Sequence, residues 1–86
     1  MKRLIEDDGA SGLEELIGEN VLLMCANYFY AGKLIGVNTN CVELADASIV
    51  YETGQWSEKS YKDAQKLPAK KWFVAIAAIE SYGIGK

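Results

Sequence analysis

Two groups of side chains in this chain have types suited to chemistry. Asn38-Thr39-Asn40 is a polar turn between two apolar stretches, and the Asn40 amide could meet a base edge. Further on, Trp56, Lys59, Tyr61 and Lys62 interleave aromatic rings with cations inside a polar segment. Such a set can hold a single nucleic-acid strand, each base stacking on a ring for ~1–3 kcal/mol. The same Trp56 and Tyr61 could equally anchor the segment to the rest of the domain. Catalysis has less to stand on. The chain has no histidine, so acid–base work would fall to carboxylates, lysine or tyrosine. Glu14, Glu15 and Glu19 fall on or beside a short helical stretch as ordinary solvated acids. Asp46 suits a turn carboxylate that accepts backbone N–H groups, and Ser48 has no base partner. Gly32 and Gly36 are no phosphate cradle, because no helix follows them. No enzyme is expected, and no cofactor.

The totals set the frame. At 86 residues, half of them hydrophobic, the chain makes one small domain with a narrow stability margin. A subunit has this character, because an interface finishes burying what the core cannot. Net charge is −3, with nine Lys and Arg. A phosphate-binding domain normally carries a basic face. Here Lys59, Lys62, Lys66, Lys70 and Lys71 fall in one late segment, so phosphate affinity is expected to be weak unless oligomerisation gathers them on a rim. Cys25 and Cys41 sit in apolar runs and read as buried free thiols; the alternative, a disulfide, needs their strands adjacent and facing. No CxxC and no carboxylate cluster has ligand spacing, so no metal site is expected. No apolar run reaches the ~18–20 residues of a membrane span, and no signal peptide is visible. A soluble, cytoplasmic protein without a membrane partner is the expectation.

These residues need elements to position them. Residues 1–10 read as a loose arm. Ser11 and Glu14 form a capping box, Leu13, Leu16 and Ile17 make one apolar stripe, and Gly18 ends the short helix. Val21–Ala26 is an uninterrupted apolar run, which fits a strand covered on both faces. Phe29–Val37 is the next strand, bent at Gly32 and Gly36. Cys41–Tyr51 is a long third strand with a bulge expected at Ala45-Asp46-Ala47. Residues 52–70 are a polar insert with room for one helical turn, capped by Ser57 or Ser60 and ended by Pro68. The last two strands are expected at Lys71–Val74 and Ile76–Ser81, with the break at Ala75 and a flexible tail over 83–86. The Ile76–Ile79 run is an unguarded apolar edge, which would aggregate unless paired.

This order of a short helix and five short strands, with a variable loop after the third, resembles the Sm-like family. Val21-x-Leu23-x-Cys25-x-Asn27 and Gly32-x-Leu34-x-Gly36-Val37-Asn38 are similar to its first motif, where aspartate is usual at Asn38. Leu44-x-Asp46-Ala47 resembles the end of its third strand. Trp72-Phe73-Val74-Ala75-Ile76-Ala77-Ala78-Ile79 looks closest to the bacterial host-factor branch, Hfq, where Tyr-Lys-His-Ala-Ile-Ser-Thr-Ile is typical. The resemblance covers Leu13 to Ser81 and suggests a divergent bacterial or phage member.

What it implies is a strongly bent, mainly β, five-stranded antiparallel Sm-like (SH3-like) barrel over residues 11–82, assembled as a homo-oligomeric ring of about five to seven subunits. The expected subunit interface is Trp72, Phe73, Val74, Ile76, Ala77, Ala78 and Ile79. Single-stranded RNA would meet Asn38, Thr39, Asn40, Val74 and Ala75 at the pore, with Trp56, Lys59, Tyr61 and Lys62 as a secondary surface. Phe73 and Val74 replace the lysine and histidine of the bacterial pattern, and Thr39 and Asn40 leave the turn without a stacking ring. The implied RNA binding is therefore altered or weakened. The alternative reading is an oligomeric scaffold that binds protein and no nucleic acid.

Overall fold

The computed structural model describes residues 12–86, so Ser11 of the capping box and the arm lie outside the described residues. What is described of the expected helix is a single 3₁₀ turn, Glu14–Leu16, with no side-chain cap at Leu13. Gly18 then adopts φ +97°, a left-handed value suited to glycine, and its N–H donates to Leu34 O at 2.7 Å. Leu13 is buried, Leu16 packs on the core, and Ile17 is exposed.

Six strands follow: β1 (Asn20–Cys25), β2 (Phe29–Val37), β3 (Cys41–Glu52), β4 (Asp63–Lys66), β5 (Lys71–Ala75) and β6 (Ile79–Ile84). All pairings are antiparallel, in the order β4-β3-β2-β1-β6, with β5 also on β3. β4 and β5 lie end to end along one edge of β3. β4 takes its far half, Ser48–Glu52, and β5 takes Cys41–Ala45. They are one strand interrupted by Leu67-Pro68-Ala69-Lys70, which accounts for six strands where five were expected.

Three expectations are corrected. The insert holds a strand, β4, in place of a helical turn; Asp-Ala-Gln-Lys is exposed throughout and mostly polar, and it pairs because β3 offers a free edge. The break between the last strands is a 3₁₀ turn, Ile76–Ala78, so these residues are not strand. The final strand starts later and runs to Ile84, with Gly85 N–H bonded to Asn20 O at 2.8 Å, so residues 83–86 are no loose tail.

The sheet bends hard at one level. Between Ala31 and Lys33 the β2–β3 register shifts, with an extra residue on β3. Asp46, in that stretch, takes φ 51°, a left-handed conformation unusual without glycine. Gly32 faces it. A Cβ at Gly32 would stand 3.1 Å from Ala45 O, 3.1 Å from Ala47 Cα and 3.3 Å from Leu44 Cβ. Curling brings alternate residues together on the concave side. Val21, Leu23, Cys25, Leu34, Val42, Leu44, Ala47 and Val74 form the core with Leu13. Leu22 points to the opposite face of β1 and is buried too, as a strand covered on both sides requires. Its outer cover includes the insert, since Trp56 shares a cleft with Leu22 and Met24.

Gly32→Ala is expected to lower unfolding free energy by about 1–3 kcal/mol in urea titration, because backbone atoms cannot yield to the methyl. Gly83→Ala, where a Cβ meets nothing within 4 Å, should change it by less than ~0.5 kcal/mol.

Candidate functional site

The β2–β3 turn and the β5 break meet at one end of the barrel. Asn38 Oδ1 accepts the backbone N–H of Asn40 at 2.7 Å and of Cys41 at 2.8 Å. The turn is thereby closed from within, as an Asx side chain does. Asn40 O then accepts Ile76 N–H at 2.9 Å, which ties the turn to the residue after Ala75. Asn38, Thr39, Asn40 and Ala75 are exposed and lie together. Val74 stands apart from this exposed set: it is 5% exposed, with its side chain in the core. Asn38 is half committed, its oxygen to the turn, leaving its NH₂ as the free donor. The amides of Asn38 and Asn40 and the Thr39 hydroxyl are the polar equipment of this rim, with no ring to stack on in the turn.

The insert divides differently. Lys59 is exposed, and Lys62 Nζ lies 3.7 Å from Glu52 Oε1. Lys66 pairs with Asp46 and Lys71 with Glu43, each at 3.7 Å. The first two pairs are exposed and stabilise little, while Glu43 in the third is half-buried. They do set a carboxylate beside three of the five clustered lysines, so the segment is no open basic patch. Trp56 is 60% exposed and Tyr61 half-buried. Both face Lys86 Nζ, at 5.6 and 5.2 Å from the ring centres. The two aromatics are thus anchors engaged by the chain itself. Lys86 is the tether that the sequence pattern does not show, because it lies 31 residues from Gln55, one of its partners.

The expected interface residues flank a groove. A cavity of about 520 Å³ opens between β5, the 3₁₀ turn, β6 and the β1–β2 turn. Six of the seven candidates, all except Ile76, line it, with Tyr28 and Tyr30 on the opposite wall. Phe73 is 58% exposed; Trp72, Ile76 and Ile79 are half-buried against the core; Ala77 and Ala78 are exposed in the turn. Cys25 sits at the groove floor, and burial, then the nearby Glu80 charge, pushes its thiol pKa up. Its thiol stays protonated and a poor nucleophile at neutral pH. Cys25 and Cys41 are both free, on strands separated by β2. Among the described residues no group of three His, Cys, Asp or Glu gathers at metal spacing, and no helix is long and apolar enough to cross a membrane.

The groove separates two edges with unpaired main-chain groups. β5 bonds to β3 on one side, and β6 bonds to β1 on one side. Antiparallel ladders alternate inward and outward groups. Counting from the bonded Asn40–Ile76 pair, the N–H and C=O of Lys71, Phe73 and Ala75 point outward from β5. Counting from Asn20–Gly85, those of Tyr82 and Ile84 point outward from β6. Tyr82 and Ile84 are themselves exposed.

A short bent barrel with a 3₁₀ entry, an interrupted fourth strand along the third, and first and last strands paired is an Sm-like fold. It is similar to the SmAP1 chain in a crystal structure of the P. aerophilum SmAP1 heptamer, with TM-score 0.67 over 96% of this chain and 99% of that one, at 17% identity. At that identity the likeness is one of fold. No protein-family model and no curated protein matches the sequence.

Asn38→Ala is expected to cost about 1–2 kcal/mol in chemical denaturation, since two backbone N–H groups lose their acceptor. Asn38→Asp keeps the acceptor and should lie within ~0.5 kcal/mol of the parent protein.

Proposed function

We propose that this chain is the subunit of a homo-oligomeric ring, closed by pairing β5 of one copy with β6 of the next. The observation that carries this is the pair of outward edges on the two sides of an apolar groove, in a fold similar to a subunit of a heptamer. An interface joining two different edges is head-to-tail, and it makes a ring where the rotation between copies closes. The interface moves accordingly. Its second edge is Ile79–Ile84, and Ile76, Ala77 and Ala78 serve as the turn that separates the edges. Phe73, Tyr82 and Ile84 supply exposed apolar surface along the seam. The assignment to a bacterial or phage branch rests on the 72–79 string alone.

Single-stranded RNA is the ligand class this reading favours, held at the rim where the 38–40 turns and Ala75 of successive copies meet. Contact would come from the amides of Asn38 and Asn40 and the Thr39 hydroxyl. Among the described residues the rim carries no cation of its own, and each subunit brings a charge of −3. Affinity should therefore fall below that of rings with lysine and histidine in the second motif.

Light scattering should give a mass that is a whole multiple of the 9.5 kDa chain, about five to seven copies. Phe73→Pro or Tyr82→Pro removes one outward N–H while sparing the inner ladders, and either should yield monomers. A parent protein that stays monomeric at working concentration sinks the ring. For the ligand, anisotropy with uridine-rich and adenine-rich oligonucleotides should show about micromolar binding at ~50 mM salt, weakening toward ~200 mM, and lost in Asn40→Ala. No binding at low salt would leave a protein scaffold in place of an RNA ring.

A further inference from the structure

The insert is tied at one point to the end of β6, and the tie has the make-up of a binding site. Lys86 Nζ donates to the carbonyl oxygens of Thr53 at 2.8 Å, Gln55 at 2.8 Å and Ser60 at 3.1 Å. An ammonium group has three N–H donors and no acceptor, so these oxygens satisfy all of it. The Trp56 and Tyr61 rings lie 5.6 and 5.2 Å from the same nitrogen, within the ~6 Å reach of cation–ring attraction. Tyr61 acts twice, its hydroxyl also accepting the Lys86 backbone N–H at 3.0 Å. Among the described residues no carboxylate side chain pairs with Lys86. Dipoles and ring faces take the place of a counter-ion. Gly85 permits the approach, since a Cβ there would collide with the Tyr61 hydroxyl and stand 3.2 Å from Leu22 N.

We propose that Thr53, Gln55, Ser60, Trp56 and Tyr61 form a binding site for a primary alkylammonium group, filled in cis by Lys86. The filled site latches the insert over the outer face of β1. Its selectivity follows from the donor count. A primary ammonium offers three N–H groups to three oxygens. A quaternary ammonium suits the rings but leaves the oxygens without donors. A guanidinium is planar and cannot present that tripod, and an acylated amine has lost its charge. Removing the Lys86 ammonium therefore opens the latch and leaves the site free for another molecule's primary amine.

The test uses the 86-residue chain with Trp72→Phe, so that Trp56 is its one tryptophan and is read by selective tryptophan excitation. In Lys86→Met, amide hydrogen exchange over residues 53–62 should quicken by about tenfold or more while β3 is unchanged. Adding n-butylammonium at about 10–50 mM, the scale of a tethered group's effective concentration, should restore protection and shift Trp56 emission. Tetramethylammonium and N-butylacetamide should do neither, and Lys86→Arg should stay as loose as Lys86→Met. Unchanged exchange in Lys86→Met, or equal rescue by tetramethylammonium, overturns the proposal. If Lys86→Met does not fold, the parent protein decides. Its Lys86 ammonium protons should give a slow-exchanging NMR signal at neutral pH that no other lysine gives, and absence of that signal refutes the site.

Discussion

The bend of β3 over Gly32 is the constraint on which the remaining architecture rests. β3 bonds on both edges, to β2 on one side and to β4 and β5 on the other. A straight strand of this length would carry its neighbours off in one plane. Asp46 in the left-handed region turns it, at a cost of order 1–2 kcal/mol. Leu44 and Ala47, both without exposed surface, offset that cost by burial on either side of the turn. The bend sends one half of β3 to β5 and the other to β4. It also swings β5 round to face β6 across the groove, without closing the barrel.

Much of this was legible in the residues. The β2 limits Phe29–Val37, the bulge near Asp46 and the doubly covered β1 run follow from local pattern, because apolar alternation and glycine placement act over a few positions. The Ile76–Ile79 run misled for a physical reason. Its composition suits a buried strand, yet the Ile79 N–H bonds to Ile76 O, which folds Ile76–Ala78 into a 3₁₀ turn between β5 and β6. β4 left no trace in composition, since Asp-Ala-Gln-Lys pairs only because β3 extends past the core with an edge to spare. Of the rim, the exposed turn was readable, whereas the burial of Val74 was not. The strand alternation that decides it depends on a register with Val42.

The polar side chains described above act within the chain, on its backbone or on one another. Asn38 closes its own turn, Lys86 gathers three carbonyls, and the lysines at 62, 66 and 71 stand beside carboxylates. This explains how an acidic chain with a small core keeps long loops in place. It also separates the two regions first singled out for chemistry. The amide-bearing rim remains open, while the aromatic segment is already engaged.

The interruption between β4 and β5 has a practical side. Leu67 holds its place, with its N–H on Ala47 O at 2.9 Å and its side chain on the core, but Pro68, Ala69 and Lys70 are exposed and outside any strand. The two half-strands are fixed separately to β3, so neither relies on the link for alignment. Foreign sequence spliced in at Ala69, such as an epitope or a fluorophore-accepting tag, would project from the outer wall and leave both ends of the barrel unobstructed.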